Sequence, residues 1–280
     1  MSRVERRMYR RMRGQVLLRR CLWTLTALMV AVGLWQRGRS AGGMTAQPVL
    51  PPTPTPITAA FDETVTARTL ELPQTVWYAI QTGIFADASA AEAKAALYAH
   101  RGAPGYVNRD GEKHRVYIAC YGDREAASAV RERLSSQQDV ETYLHEWRCE
   151  ALTLRLSGMA GQLDVAEAGL MLPLQAAGQL RDAAELLDSG EMSTAEALDA
   201  VEAVNAQWVT WTDTARSRFT RPYPALIGQL MSLGERWQSH RDALRKAGAE
   251  GPTEASAALK VQAMAMFDEA VALRDNLKSE

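Results

Sequence analysis

The pattern of apolar and polar positions changes character several times along the chain. It opens with an uncharged apolar run, Cys21 to Trp35, and continues into a proline-dense stretch, Gln47 to Pro56. Between residues 75 and 145, short alternating segments typical of strands are interleaved with alanine-rich segments typical of helices. From about Gly161 onward, apolar residues recur at helical spacing. The pattern therefore predicts an α+β chain assembled from four differently built regions.

The uncharged apolar run predicts a transmembrane helix over residues 21–36. At 1.5 Å per residue the run covers roughly 22 Å, short of the ~30 Å hydrocarbon core, but flanking arginines can reach the headgroups. Trp23 and Trp35 lie near its two ends, where interfacial aromatic residues are enriched. A cleaved signal peptide and a buried core helix are the alternatives. Arg37 and Arg39 directly after the run disfavour cleavage, and the arginine-dense lead disfavours a core helix.

The segment before this run, residues 1–20, carries eight arginines against one acid, Glu5. Positive charge beside a transmembrane helix is retained on the cytoplasmic side, so we expect a single-pass protein of the cell membrane with a cytoplasmic N-terminus. Everything after Arg37 would then lie outside the cytoplasm. Among these arginines only Tyr9 is aromatic, and the whole chain has a formal net charge of -1, so nucleic-acid binding is not expected.

Residues 37–72 are predicted to be a proline-rich linker. Prolines at the density found in Gln47 to Pro56 favour extended polyproline II and prevent helix or sheet. At about 3 Å per residue, such a linker could hold a domain on the order of 100 Å from the membrane. A ligand for an SH3-like partner outside the cell is the alternative.

Residues 73–149 are predicted to form a small α+β domain in the order β-α-β-β-α-β, the split βαβ arrangement. Its strands combine aromatic and β-branched residues, its helices are rich in alanine, and Asp123 is placed to cap the second helix. The strands are Trp77–Thr82, Tyr106–Val107, His114–Tyr121 and Val140–His145, and the helices are Ala90–His100 and Arg124–Leu134.

The two faces of this sheet are expected to differ, because successive side chains of a strand point to opposite sides. Val116 and Ile118 should face the two helices, and so should Ile80. The opposite face would be open, or covered by something else, and by the same alternation it carries Trp77, Ala79, Gln81, Arg115 and Tyr117.

Two motifs in this region resemble those of the SPOR domain family. Trp77 to Phe85 reads WYAIQTGIF, like the aromatic-rich opening strand that ends in Gln-x-Gly-x-Phe. His114 to Tyr121 reads HRVYIACY, like Tyr-Arg-Val-x-Val-Gly-Pro-Phe, and the following helix has the expected alanine at Ala127. His114 replaces Tyr, and Ala119-Cys120 replaces Gly-Pro. The resemblance covers about a quarter of the chain, Thr75 to His145.

The resemblance implies a fold and a ligand. SPOR domains bind peptidoglycan glycan strands that have lost their stem peptides, and they bind them across the sheet face. The resemblance places Gln81 and Arg115 in that binding face, with Ile84, Lys113 and Tyr117 as neighbours. Amide and guanidinium groups suit this role because they donate hydrogen bonds to sugar hydroxyls and acetamido carbonyls. A merely solvated face and an RNA-binding sheet are the alternatives.

Cys120 and Cys149 could form a disulfide if this region lies outside the cytoplasm. Cys120 lies at the end of the third predicted strand and Cys149 follows the fourth. These two strand ends are expected at one edge of the sheet, about 10 Å apart, whereas a bridge needs Cα atoms within roughly 7 Å. Two separate buried thiols are the alternative.

No arrangement of catalytic residues is evident, so we expect a binding protein with no cofactor rather than an enzyme. The four histidines share no metal-ligand spacing and the cysteines form no C-x-x-C pair, so no metal site is predicted. A glycine-rich phosphate loop is missing from the sequence. Cys120 lies near His114, but the pair lacks the strand-turn-helix context of a nucleophile.

Residues 150–280 are predicted to form an all-α bundle of about four helices after a short alternating segment, Ala151 to Leu156. Pro173 should kink or split the first helix, and Ser193 and Glu196 form a capping box at the start of the second. The expected bundle core contains Trp208, Trp211, Trp237, Met264 and Phe267. An exposed aromatic site for a protein partner is the alternative for these side chains.

Together these expectations describe a membrane-anchored, extracytoplasmic binder of cell-wall glycan that acts at division or sporulation septa. The competing hypothesis is a scaffold protein in which the bundle docks a protein partner and the SPOR-like domain does not bind glycan.

Overall fold

The computed structural model describes residues 64–138 and 140–279. These belong to one compact unit that spans residues 61–280. The predicted basic segment, anchor and most of the linker lie outside the described residues. Within the described part of the chain, no helix is both long and apolar enough to cross a membrane.

The elements in chain order are six strands and six helices among the described residues. The strands are β1 (Thr66–Leu72), β2 (Thr75–Phe85), β3 (Tyr106–Asp110), β4 (Lys113–Tyr121), β5 (Tyr143–Cys149) and β6 (Leu152–Gly158). The helices are α1 (Ala88–Ala99), α2 (Arg124–Gln138), α3 (Ala160–Asp188), α4 (Thr194–Arg218), α5 (Ala225–Glu250) and α6 (Pro252–Ser279).

The four central strands form the predicted antiparallel sheet, in the order β3-β4-β2-β5. Helices α1 and α2 cover one face. Ile80 and Ile118 pack there with Tyr98 of α1, and Val116 packs with alanines of the same helix. Asp123 caps α2 as expected, accepting a hydrogen bond from the backbone amide of Ala126 at 2.8 Å. The split βαβ arrangement and its helix-facing side chains are therefore confirmed.

A second, two-stranded sheet joins β1 to β6. The strand at Leu152–Gly158 confirms the alternation noted there, but β1 falls within residues 37–72, which the sequence predicts to be linker. Its sequence, TARTLEL, does alternate, and Leu70 and Leu72 are buried. The paired residues of the two strands lie 80 to 92 positions apart along the chain, so local sequence offers no reason to prefer a strand over a continued linker. The linker therefore ends before Thr66.

The four predicted C-terminal helices are all present, with ends within a few residues of those expected. Pro173 lies inside α3, which continues past it, so the predicted split is wrong. Proline removes one backbone donor from a helix, and the long packed surface of α3 outweighs that local loss. The capping box of α4 is confirmed, with Ser193 and Glu196 each bonding to the backbone amide of the other.

One apolar core runs through both the sheet and the helices. It includes Leu72, Trp77 and Trp147 from the strands and continues to Trp208 and Trp237 in the bundle. The expected bundle residues Trp208, Trp211, Trp237 and Met264 are buried in it, and Phe267 is buried against the sheet. The α+β region and the helical region therefore share their interior across the expected boundary at residue 150.

Cys120 and Cys149 are buried free thiols. They lie on strands that flank β2, Cys120 opposite Ala79 and Cys149 opposite Thr75. Four residues of strand correspond to about 13 Å, so the two thiols are offset along the sheet as well as across it, beyond disulfide reach. Burial raises the pKa of the Cys120 thiol to about 12.

Candidate functional site

The strand register places side chains in rows on the sheet face opposite α1 and α2. One row, from β3 to β5, contains Tyr106, Tyr117, Gln81 and Tyr143. The next row contains Asn108, Arg115 and Ile84. Residues paired across antiparallel strands point to the same side, so Gln81, Arg115 and Tyr117 share this face as expected.

Helix α6 covers a large part of this face. Phe267 stacks on Trp77 with ring centroids 4.3 Å apart and meets Trp147 edge-on at 4.9 Å. Next to it, the Asp268 carboxylate accepts hydrogen bonds from the Tyr106 hydroxyl at 3.0 Å and from the Asn108 amide at 2.8 Å. Of the two expectations for this face, open or covered by something else, the second therefore holds for this part of the sheet. The two tryptophans make the face too apolar to be left in water, and the C-terminal bundle covers it.

Exposure rises toward β5 along each row, from Tyr117 onward in the first row and from Asn108 onward in the second. In the first row, Tyr117 is fully buried, Gln81 is 5% exposed and Tyr143 is 54% exposed. In the second row, Asn108 is 4% exposed, the Arg115 side chain 17% and Ile84 47%. We call Gln81, Ile84, Arg115 and Tyr143 the open corner. Ile84, Arg115 and Tyr143 reach the surface that α6 leaves accessible, and Gln81 is buried at the inner border of that surface. Exposed Lys113 lies beside the open corner at the start of β4.

Two polar side chains of the open corner are bonded to each other. Arg115 donates from Nη1 to Gln81 Oε1 at 3.0 Å and from Nε to Asp110 Oδ2 at 2.8 Å. Because Asp110 also forms an ion pair with Arg115, the guanidinium is fixed in orientation before any ligand arrives. Such a fixed fork of donors suits the hydroxyl and carbonyl groups of a sugar.

Tyr117 supports the corner from beneath. Its hydroxyl lies 2.8 Å from His145 Nδ1 and 3.4 Å from Asn108 Oδ1, and its ring stacks on His145. Burial raises the pKa of Tyr117 and lowers the pKa of His145, so both groups are neutral near pH 7. Tyr117 is thus a neighbour of Gln81 and Arg115, but it is fully buried and does not itself reach the surface.

Comparison with protein families finds a match to the SPOR domain model over residues 77–143. Residues 77–143 are a SPOR domain. The match starts at Trp77 in β2 and ends at Tyr143, the first residue of β5, so it contains Gln81, Arg115 and both helices on the opposite face. SPOR domains are a family of peptidoglycan-binding modules rather than catalysts. Comparison with curated proteins and with solved structures gives no match.

The matched residues cover about a quarter of the chain, and the bundle lies outside them. The bundle nevertheless packs on the SPOR domain and on the residues directly flanking it. Arg274 of α6 donates to the backbone carbonyls of Pro73 and Glu150 at 2.8 Å each, and the Arg181 guanidinium of α3 lies 4.8 Å from the centre of the Trp77 ring.

Sequence reasoning missed Tyr143 and Asp268 as parts of this site. Tyr143 carried a signal, because extending the alternation of the last strand from Trp147 through His145 puts Tyr143 on the same face as Gln81. No sequence signal identified Asp268, since the apolar pattern of a helix does not show which strand the helix packs on. In the described part of the chain, no group of three or more acidic, histidine or cysteine side chains could hold a metal ion.

Proposed function

We propose that this protein is a membrane-anchored binder of peptidoglycan glycan strands stripped of their stem peptides, and that the open corner is its contact surface. One observation carries the proposal. On the face of the SPOR sheet that helix α6 of the bundle otherwise covers, Gln81 and Arg115 stay bonded to each other within the open corner. Exposed Ile84 and Lys113 flank that pair.

The chemistry of stripped glycan fits this corner. Sugar hydroxyls and acetamido groups accept hydrogen bonds from guanidinium and amide donors. Removal of a stem peptide leaves a carboxylate on the lactyl group of the sugar, and Lys113 adds a positive charge next to Arg115 for such a group. A sugar also presents apolar C–H groups, for which the 47% exposed Ile84 is a suitable contact.

The location follows from the N-terminal sequence. We propose that residues 21–36 anchor the chain in the cell membrane with residues 1–20 in the cytoplasm. The proline-rich linker would then carry the folded unit out toward the wall. Stripped glycan is produced where the wall is remodelled, so the protein would be concentrated at division or sporulation septa.

Co-sedimentation with purified sacculi tests the proposal. The full-length chain, kept soluble in mild detergent, should pellet with sacculi, and pretreatment of the sacculi with an amidase that removes stem peptides should increase the bound fraction. Absence of binding to both preparations would favour the competing hypothesis, a scaffold whose bundle docks a protein partner.

A further inference from the structure

We propose that Tyr143 is a sugar-stacking residue of this site, and that the glycan crosses the strands over the edge of β5 instead of running along β2 and β4. This inference rests on the proposed function. It assigns a ligand contact to a residue of the edge strand, and it states the direction in which the glycan crosses the sheet.

The register fixes the side of the sheet on which Tyr143 lies. Tyr143 is paired with Gln81, two residues before His145 and four before Trp147. His145 stacks on Tyr117 and Trp147 packs against Phe267, so all three β5 side chains point to the face covered by α6. Along that series exposure changes from 6% at Trp147 to 54% at Tyr143. Tyr143 is thus where β5 emerges from beneath the bundle.

The bundle blocks a glycan that runs along the strands. Beyond the row of Gln81 and Tyr117, the next residues on this face are Ala79 and Cys120, both buried, and then Trp77 under Phe267. Each row adds about 7 Å along a strand, so a strand-parallel ligand meets α6 after two rows. A glycan of many sugars can therefore lie on this face only if it crosses the strands and passes over an edge of the sheet.

Of the two edges of the sheet, β3 and β5, only the β5 edge leaves an accessible surface over which the glycan can pass. On the opposite side, Asn108 of β3 is buried and bonded to Asp268 of α6. Because β5 is an edge strand, nothing in the described sheet lies beyond Tyr143. The path from Arg115 to Tyr143 crosses two strand spacings, about 10 Å.

The side chains along this path offer both an apolar surface and polar groups, which are the two kinds of contact that a sugar ring makes. Tyr143 offers a large flat apolar surface at low conformational cost, and its hydroxyl is held by hydrogen bonding to Glu141. Gln81, the direct partner of Tyr143 on β2, presents an amide beside the ring, and the Arg115 guanidinium bonded to it lies one strand further, on β4. A sugar ring stacked on Tyr143 would keep its hydroxyl and acetamido edges within reach of those donors.

Binding measurements on the full-length chain test the assignment, with amidase-stripped soluble glycan fragments as the probe. Tyr143→Ala and Tyr143→Leu should each weaken binding by about tenfold, because both remove the stacking ring. Tyr143→Phe should stay within about twofold of wild type, because it keeps the ring. The matched control is Leu97→Ala, which trims a 44% exposed side chain of α1 on the opposite face and should leave the affinity unchanged.

The outcomes separate the two proposals. If wild type binds, Arg115→Ala weakens binding and both ring-deleting variants bind like wild type, the role of Tyr143 is overturned and the proposed function stands. If Tyr143→Phe loses as much as Tyr143→Ala, the hydroxyl rather than the ring makes the contact, and stacking is overturned. If wild type itself does not bind stripped glycan, the proposed function fails and this inference fails with it.

Discussion

Phe267 of α6 lies nearly parallel to Trp77 of β2, with ring centroids 4.3 Å apart and ring planes 18° apart. Trp77 is the first residue of the SPOR match, and Phe267 lies more than 120 residues beyond its end. Both side chains are at most 2% exposed. This stacking joins the sheet to the bundle in one core and confines the accessible sheet face to the open corner.

Phe267→Ala should destabilise the sheet and the bundle together. Truncation of a fully buried phenylalanine costs about 3–5 kcal/mol. In urea, tryptophan fluorescence and far-ultraviolet circular dichroism should report one shared transition, shifted to lower denaturant. Val209→Ala, at a 43% exposed position of α4, is the control and should leave the midpoint almost unchanged. Two separate transitions in wild type would show that the shared core does not make one cooperative unit.

Asp268 should make stability depend on pH. Burial raises the pKa of this carboxyl above its usual value, although its bonds to Tyr106 and Asn108 oppose the shift. The folded state therefore holds the proton more tightly than the unfolded state, and this stabilisation is lost as pH rises through the folded pKa. Asp268→Asn cannot ionise, so wild type should lose stability relative to this variant as the pH rises through the raised pKa of this carboxyl.

Urea midpoints of both proteins at a series of pH values measure this difference. Because every other titrating group is common to the two proteins, their separation isolates Asp268. A difference that stays constant, or that moves in favour of wild type as pH rises, would contradict the assignment.

Much of this fold was predictable because its local signals agree with its tertiary contacts. The alternation of Val116 and Ile118 identified the helix-facing side of β4, and the Ser193–Glu196 capping box located the start of α4. The positions of Gln81 and Arg115 on one face followed from the same alternation. Their neighbours Asp268 and Phe267 could not be found in this way, because packing between segments over 100 residues apart leaves no periodic signal.

Val116→Asp should unfold the SPOR domain. Val116 is fully buried between β4 and α1, and an unpaired carboxylate there has no partner to offset its loss of hydration. Circular dichroism and protease resistance should both show loss of the folded state. Val65→Asp makes the same chemical change at a 73% exposed position and should remain folded. A folded Val116→Asp variant would mean that the packing under α1 is looser than described.

The two buried cysteines should remain thiols in the oxidised protein. Cys120 and Cys149 lie on opposite sides of β2, offset by four residues, and burial raises the pKa of both thiols. Alkylation without reductant should be slow in the folded protein and complete at both positions in denaturant, as mass spectrometry of peptides would show. Failure of both to react in denaturant until a reductant is added would demonstrate a disulfide.

Affinity of the Arg115→Ala variant for amidase-treated sacculi tests the central claim most directly. Arg115 contributes the charged donor of the open corner, so its loss should weaken binding by about 1–3 kcal/mol, the usual cost of a missing charged hydrogen bond. Folding should persist, because the side chain reaches the surface and forms no part of the apolar core.

Arg148→Ala removes an exposed arginine from the opposite side of β5 and serves as the control. We predict that Arg115→Ala stays folded and binds at least fivefold more weakly than wild type, whereas Arg148→Ala binds normally. A folded Arg115→Ala variant that binds stripped sacculi as tightly as wild type would contradict the assignment of the open corner as the glycan site.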